Sequence, residues 1–289
     1  MPAQSKYSKQ INHERALAPF LPYSSHVSPN TIVTKDGDYL RISKLSGISF
    51  ETADADEMLM RKEQLNTLFR SIGSDHVAVW THNVRRQTSD RLKSTFDSNF
   101  CFDFDKKYFD GFAGYRMMAN ELYLTVVYRP QPSRVSKAIT RSSRRSQKEI
   151  LSDQAAAIRK LDEIFYQVES SLRRYGLEEL TTYEDDNGVL CSQALTFLNF
   201  LVTGEWQKVR VPKAPLNDYL GTAWVFVGTE TIEIRSPTKT RFAQCVDFKD
   251  YAAHTEPGIL NGLMYEDFEF VQTQSFSFMA NAIWAGPAL

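Results

Sequence analysis

KEILSDQAAAIRKLDEIFYQVESSLRRYG, residues 148–176, holds one periodicity from end to end. Leu151, Gln154, Ile158, Leu161, Phe165, Val168, Leu172 and Tyr175 recur at three- and four-residue steps for more than three heptads. That spacing puts them on one face of a helix. Arg159, Lys160, Asp162, Glu163, Glu169, Arg173 and Arg174 occupy the opposite, solvated face. Gly176 can take the left-handed conformation that closes a helix, and Arg173 and Arg174 lie where the helix dipole favours cations. A helix of about 27 residues spans roughly 40 Å, enough to cross a whole domain. The seam could pair with a copy of itself, but packing on the chain's own sheet is the commoner outcome.

Upstream of this helix lies the best internal boundary. Residues 131–148 carry Arg134, Lys137, Arg141, Arg144, Arg145 and Lys148 among five serines, with no acidic residue before Glu149. Such a tract is a solvated connection, or an electrostatic contact for anionic lipid, nucleic acid or an acidic partner. It has no interleaved aromatics, so a single-strand stacking groove is the weakest of these. The chain thus divides into an extended arm (1–30), a first subdomain (31–130), the basic linker (131–148) and a second subdomain (149–289).

In the first half, TIVTKDGDYLRISKLSGISF (31–50) reads as a hairpin about the Asp36-Gly37 turn, with a short strand over Gly47–Glu51. Asp54 and Glu57 open a helix as a capping box, and Gly73 ends it. Residues 75–86 and Glu121–Arg129 read as strands. Between them sits a dense aromatic set, Phe100, Phe102, Phe104, Tyr108, Phe109 and Phe112, with Asp105 as the expected cap of a helix running to about Met118. In the second half, Val189–Val202 reads as a buried helix, and strands follow within Trp224–Ile234 and Thr240–Lys249. A short helix is expected over Pro257–Tyr265. FEFVQTQSFSFM (268–279) closes as a half-buried strand with Phe268, Phe270, Gln272, Gln274, Phe276 and Phe278 on one side. Strands and helices mix without strict alternation. This predicts an α+β fold of antiparallel sheets with helices packed on one face.

Composition bounds the function. Apolar content of 42% and charged content of 24% are those of a globular chain, and a net charge of −1 leaves any attraction to polyanions local. No apolar run approaches membrane-spanning length. Cys101, Cys191 and Cys245 are distant in sequence and read as reduced, mostly buried thiols. There is no GxxxxGK[ST] and no GxGxxG. His76 and His82 could share a strand face, but no Cys or carboxylate joins them at metal-ligand spacing. Asp185-Asp186 and Asp54-Asp56 suit a turn and a helix start better than an acid/base pair. No catalytic, cofactor or metal residue is therefore assigned.

Three stretches carry a resemblance. APFLPYSSHVSPNTIVTKDGDYLRISKLSG (18–47), VAVWTHNVRR (77–86) and FEFVQTQSFSFM (268–279) resemble, in order, the N-terminal region of the VirB/TrbE/CagE family of conjugative-transfer and type IV secretion ATPases. The family's members carry a RecA-like motor with Walker motifs after this region. ATP and Mg are expected only there, and the closing NAIWAGPAL, without polar tail or cap, reads as a chain that continues. The resemblance implies an assembly domain at the cytoplasmic face of the bacterial inner membrane. It would contact small membrane subunits of the channel and help the ATPase form dimers or hexamers. The alternative from the residues is a nucleic-acid-binding module using the basic tract.

Overall fold

The computed structural model describes residues 17–49, 53–88, 94–112, 114–131, 146–236, 239–247, 250, 253–254 and 258–278. The main sheet is built from β1 (Tyr23–Ser28), β2 (Thr31–Thr34), β3 (Tyr39–Leu45), β4 (Val77–Gln87), β5 (Met118–Tyr128), β6 (Leu177–Glu179) and β12 (Phe270–Ser277). Its order is β1-β2-β3-β5-β4-β12, and every pairing is antiparallel. The register of β4 on β5 runs unbroken from Val77 opposite Tyr128 to Gln87 opposite Met118. β5 takes one edge of β3, and β2 and β6 share the other, β2 opposite Tyr39 and Leu40 and β6 opposite Ser43 to Leu45. Two smaller sheets join β7 (Thr182–Glu184) to β8 (Leu190–Ser192), and β9 (Trp224–Val227), β10 (Ile232–Arg235) and β11 (Thr240–Ala243) in the order β11-β10-β9.

The long helix forms as its periodicity requires. It is α3, Gln147–Leu172, followed by a 3-10 turn, Arg173–Tyr175, and closed by Gly176 at φ +63°. Its start is a complete capping box: Ser146 Oγ accepts from the Glu149 amide, and the Glu149 carboxylate accepts from the Ser146 amide. Ala157, Leu161, Ile164, Phe165, Val168 and Leu172 are buried. Their five large side chains contribute on the order of 10 kcal/mol of gross burial free energy. Leu151 and Ile150 stay exposed, so the first turns of α3 add nothing to the core.

The sheet is buried on both faces. Successive residues of β4 show why: Val77 and Val79 join α3 and α1 (Ala55–Ile72), whereas Ala78 and Val84 join α4 (Gln193–Thr203). β3 and β5 divide in the same way, with Leu40, Ile42, Tyr123 and Val127 toward α4 and Leu45, Leu124 and Val126 toward α3. The α+β class with antiparallel sheets stands, and the single helix-bearing face expected from sequence is corrected to two. α5 (Leu216–Leu220) adds Leu216 and Leu220 to the α4 side.

Other expectations change in detail. Residues 23–28 of the expected arm are an edge strand of the sheet. Gly47–Ser49 form no strand. The aromatic helix is α2, Asn99–Asp110, capped by Ser98 through the Phe100 amide at 3.2 Å, and Asp105 lies inside it. The helix expected from Val189 begins at Gln193, because Leu190–Ser192 pair as β8 and Ser192 caps the helix through the Leu195 amide. The strand expected over Thr240–Lys249 stops at Ala243, and a 3-10 turn over Asn261–Tyr265 replaces the short helix. Cys191 is buried, but Cys101 and Cys245 are exposed thiols. Strands from both sides of the basic linker share one sheet: β6 pairs with β3, and β12 with β4.

Candidate interaction surfaces

Among the described residues, two buried charged clusters hold layers together. Arg41, on β3, pairs with Asp162 of α3 and lies 3.6 Å from Glu179 of β6. Its Nε donates to Thr31 Oγ1 at 3.1 Å, and its guanidinium sits 5.4 Å from the Phe165 ring centroid. One buried cation thereby ties β2, β3, β6 and α3. Burial raises the Glu179 carboxyl despite the nearby Arg41.

On the opposite face, Glu121 accepts from Lys44 at 2.7 Å, from Arg86 at 3.1 and 3.2 Å, and from the Tyr123 hydroxyl at 3.0 Å. Burial alone would raise its carboxyl; the hydrogen bonds and charges of Arg86 and Lys44 outweigh that and hold it down at about 2. Tyr123 stacks on Phe197 at 4.2 Å, and Trp206 stacks on Phe200 at 4.4 Å beneath Arg86. The cluster satisfies itself.

The two histidines singled out from the sequence are each held by a hydrogen bond. His82 is buried, its Nδ1 hydrogen-bonds Thr273 Oγ1 of β12 at 2.9 Å, and its ring meets Phe197 edge-on. Burial pushes it down to about 4. His76 donates Nδ1–H to the Arg129 carbonyl at 2.7 Å, which fixes the end of β5. His76 lies in the turn before β4 and packs on Tyr128 of the α3-side core, whereas His82 meets Phe197 of the α4-side core, so the shared strand face expected of them is not formed. The described residues hold no group of three or more His, Cys, Asp or Glu that could take a metal. One contact escaped sequence reasoning. The Ser192 hydroxyl lies 3.0 Å from His26 Nε2 while accepting from the Leu195 amide at 3.1 Å. Ser192 is 0% exposed, so this Ser–His pair is a latch between β1 and α4 rather than a nucleophile open to substrate. Asp185 accepts from the Val189 and Asn187 amides, which lower its carboxyl and close the turn. Asp54 caps α1 through the Glu57 amide at 2.8 Å.

Of the basic residues singled out, Arg134, Lys137, Arg141, Arg144 and Arg145 lie outside the described residues. Lys148 is exposed in the first turn of α3.

Among the described residues, three surfaces stand open. A groove of about 830 Å³ runs between α1 and the end of α3, lined by Gln64, Thr67, Ser170, Ser171, Arg173 and Arg174 among others. Among the described residues β12 pairs only with β4, and its Phe276 is exposed although it meets Phe69 at 5.9 Å. The half-buried character expected of this strand holds at Phe270, Gln272 and Phe278 and fails over the residues between. The third surface is α2. No residue of this helix is buried. Phe100, Phe104 and Tyr108, at successive four-residue steps, are 75%, 65% and 56% exposed, with Phe100 stacked on Phe104. They and Phe96 enclose a shallow cleft with Cys101 and Asp105. The sequence signalled the aromatic set; it did not signal that the set would face outward.

No helix of the described residues is long and apolar enough to cross a membrane. Comparison with known proteins gives two family matches. Residues 30–136 match the N-terminal domain of the type IV secretion system ATPase VirB4/TrbE, and residues 178–283 match the CagE, TrbE, VirB family, a component of the type IV transporter system. The chain is 61% identical over 285 residues to the type IV secretion system protein virB4 of Brucella suis, which covers 96% of the chain and 34% of that protein. Against the type IV secretion system protein PtlC of Bordetella pertussis it is 40% identical over 280 residues, covering 95% and 34%. Against the virB4 protein of Rhizobium radiobacter it is 30% identical over 273 residues, covering 92% and 34%. The chain spans about a third of the length of these relatives. Both matched segments contribute strands to one sheet, and together the matches establish that the chain belongs to the VirB4/TrbE/CagE family of type IV secretion proteins and corresponds to its N-terminal region.

Proposed function

We propose that this chain is a non-catalytic assembly and docking domain of a type IV secretion ATPase. It positions the motor against membrane subunits of the channel, at the cytoplasmic face of the inner membrane, and contributes to oligomerisation. The observation that carries this is α2: a helix with aromatic side chains turned to solvent and none buried needs a surface outside its own fold. A 12-residue helix gains little stability from propensity alone, so a partner that covers its rings also stabilises it. The family matches supply the context, since the first describes the N-terminal domain of an ATPase. The sequence offers no Gly-rich loop to cradle phosphate, so no residue here is assigned to ATP or Mg, and no step is derived through either.

The test combines turnover with capture. The purified 289-residue chain is expected to hydrolyse no ATP above buffer and to co-purify with membrane subunits of the secretion channel. Turnover at an enzymatic rate, or loss of every such contact, contradicts the proposal. The nucleic-acid alternative predicts DNA affinity that falls steeply with salt and vanishes when Arg134, Lys137, Arg141, Arg144 and Arg145 are neutralised.

A further inference from the structure

The outward face of α2 has a pattern that fits a copy of itself. With 100° per residue, Phe100, Phe104 and Tyr108 form a seam, and Asp103 and Lys107 lie on one flank of it. The side chains of Asp103 and Lys107 are exposed and have no partner among the described residues. In an antiparallel helix pair the same flank of each helix meets its equivalent, so an acid and a base four residues apart on that flank complement each other twice. Aromatic spacing is symmetric about Phe104 in the same way: Phe100 lies four residues before it and Tyr108 four after.

We propose that α2 is a self-association helix: two copies pack antiparallel with Phe104 on the two-fold axis, Phe100 of each against Tyr108 of the other, and Asp103 of each beside Lys107 of the other. This rests on the assembly reading above and names the partner of that surface. Lipid is the poorer occupant, because Asp103, Asp105 and Asp110 outnumber Lys106 and Lys107 along the helix and give no pull toward an anionic leaflet. At the exposures given, the six rings of two copies bring roughly 800 Å² within reach of burial, taking about 200 Å² for each ring. A stable interface on its own buries about 1,200 Å² or more, so this is a weak contact that acts beside others in a larger assembly.

Disulfide trapping tests a weak contact directly. Phe104→Cys, in a Cys101→Ser and Cys245→Ser background, is expected to give a covalent dimer under mild oxidation. Phe100→Cys mixed with Tyr108→Cys is expected to cross-link, and Phe100→Cys alone is not. Lys107→Asp should lower the Phe104→Cys dimer yield about threefold, as two exposed ion pairs allow, and adding Asp103→Lys should restore it. Circular dichroism checks that each variant folds, and α2 buries nothing whose loss would unfold it. If no cross-link forms while sedimentation still shows oligomers, α2 is not the self-contact and the assembly reading survives. If the chain neither cross-links nor associates, the self-association helix and the oligomerisation part of the assembly reading both fall, and capture of membrane subunits decides the docking part. If neutral or anionic vesicles float the chain, and Phe100→Ala, Phe104→Ala and Tyr108→Ala together abolish that, lipid covers the face and the self-association proposal is overturned.

Discussion

Individual residues in this fold act mainly as ties between layers. Arg41 is buried, yet its four contacts tie its own strand to three other elements, and Glu121 collects two cations and a phenol. His82 shows the same economy and can be tested by pH. Its folded-state pKa of about 4 lies below the ordinary 6.5 because burial disfavours the charged ring. The unfolded chain therefore takes up the proton first as pH falls. The stability this group contributes is whole above pH 6.5, declines through the window, and is lost near pH 4, on the order of 3 kcal/mol in all. His26, lowered by burial as well, acts in the same direction. Urea unfolding is expected to show a smaller loss of stability between pH 7 and 4.5 for His82→Leu than for the native chain; parallel pH profiles would refute this. From sequence, His82 stood out only as a strand histidine, because burial against Phe197 and the bond to Thr273 depend on residues more than a hundred positions away.

At the scale of elements, legibility followed periodicity and local caps. α3 was readable because its seam persists for 26 residues, and Gly176 closes it in the left-handed conformation. The same seam misjudged its first turns, since Leu151 fits the pattern and yet is exposed. Substitution separates the two ends. Phe165→Ala, which empties a core position under the Arg41 guanidinium, is expected to cost about 3–5 kcal/mol, whereas Leu151→Ala should fall within about 0.5 kcal/mol of native. Chemical denaturation reads both, and equal effects would contradict the packing described. α2 was misplaced for a different reason. Phe100, Phe102 and Phe104 alternate at a period of two, which masks the helical pattern, and Asp105 is as good a cap by type as Ser98. Only the Ser98–Phe100 amide bond distinguishes them. Its exposed rings were illegible for the general reason that composition reports how apolar a segment is and not what covers it.

Across the whole molecule, antiparallel sheet and α+β class could be read from the order of elements, and closure of the sheet could not. β6 and β12 pair with strands more than a hundred residues earlier, so neither pairing leaves a local signal. Nor did the even apolar character of Val77, Ala78 and Val79 reveal two cores, although residues buried on both sides of a sheet read as continuous runs. The consequence is one framework in which the two matched segments share a sheet, with α2 set apart from both cores. That separation gives the account its sharpest measurement: hydrogen exchange over residues 96–115 in the dispersed chain and in the assembled secretion ATPase. The account predicts that α2 amides exchange freely when dispersed and become protected on assembly, while α3 amides stay protected in both. Equal exchange of α2 in the two states would contradict it.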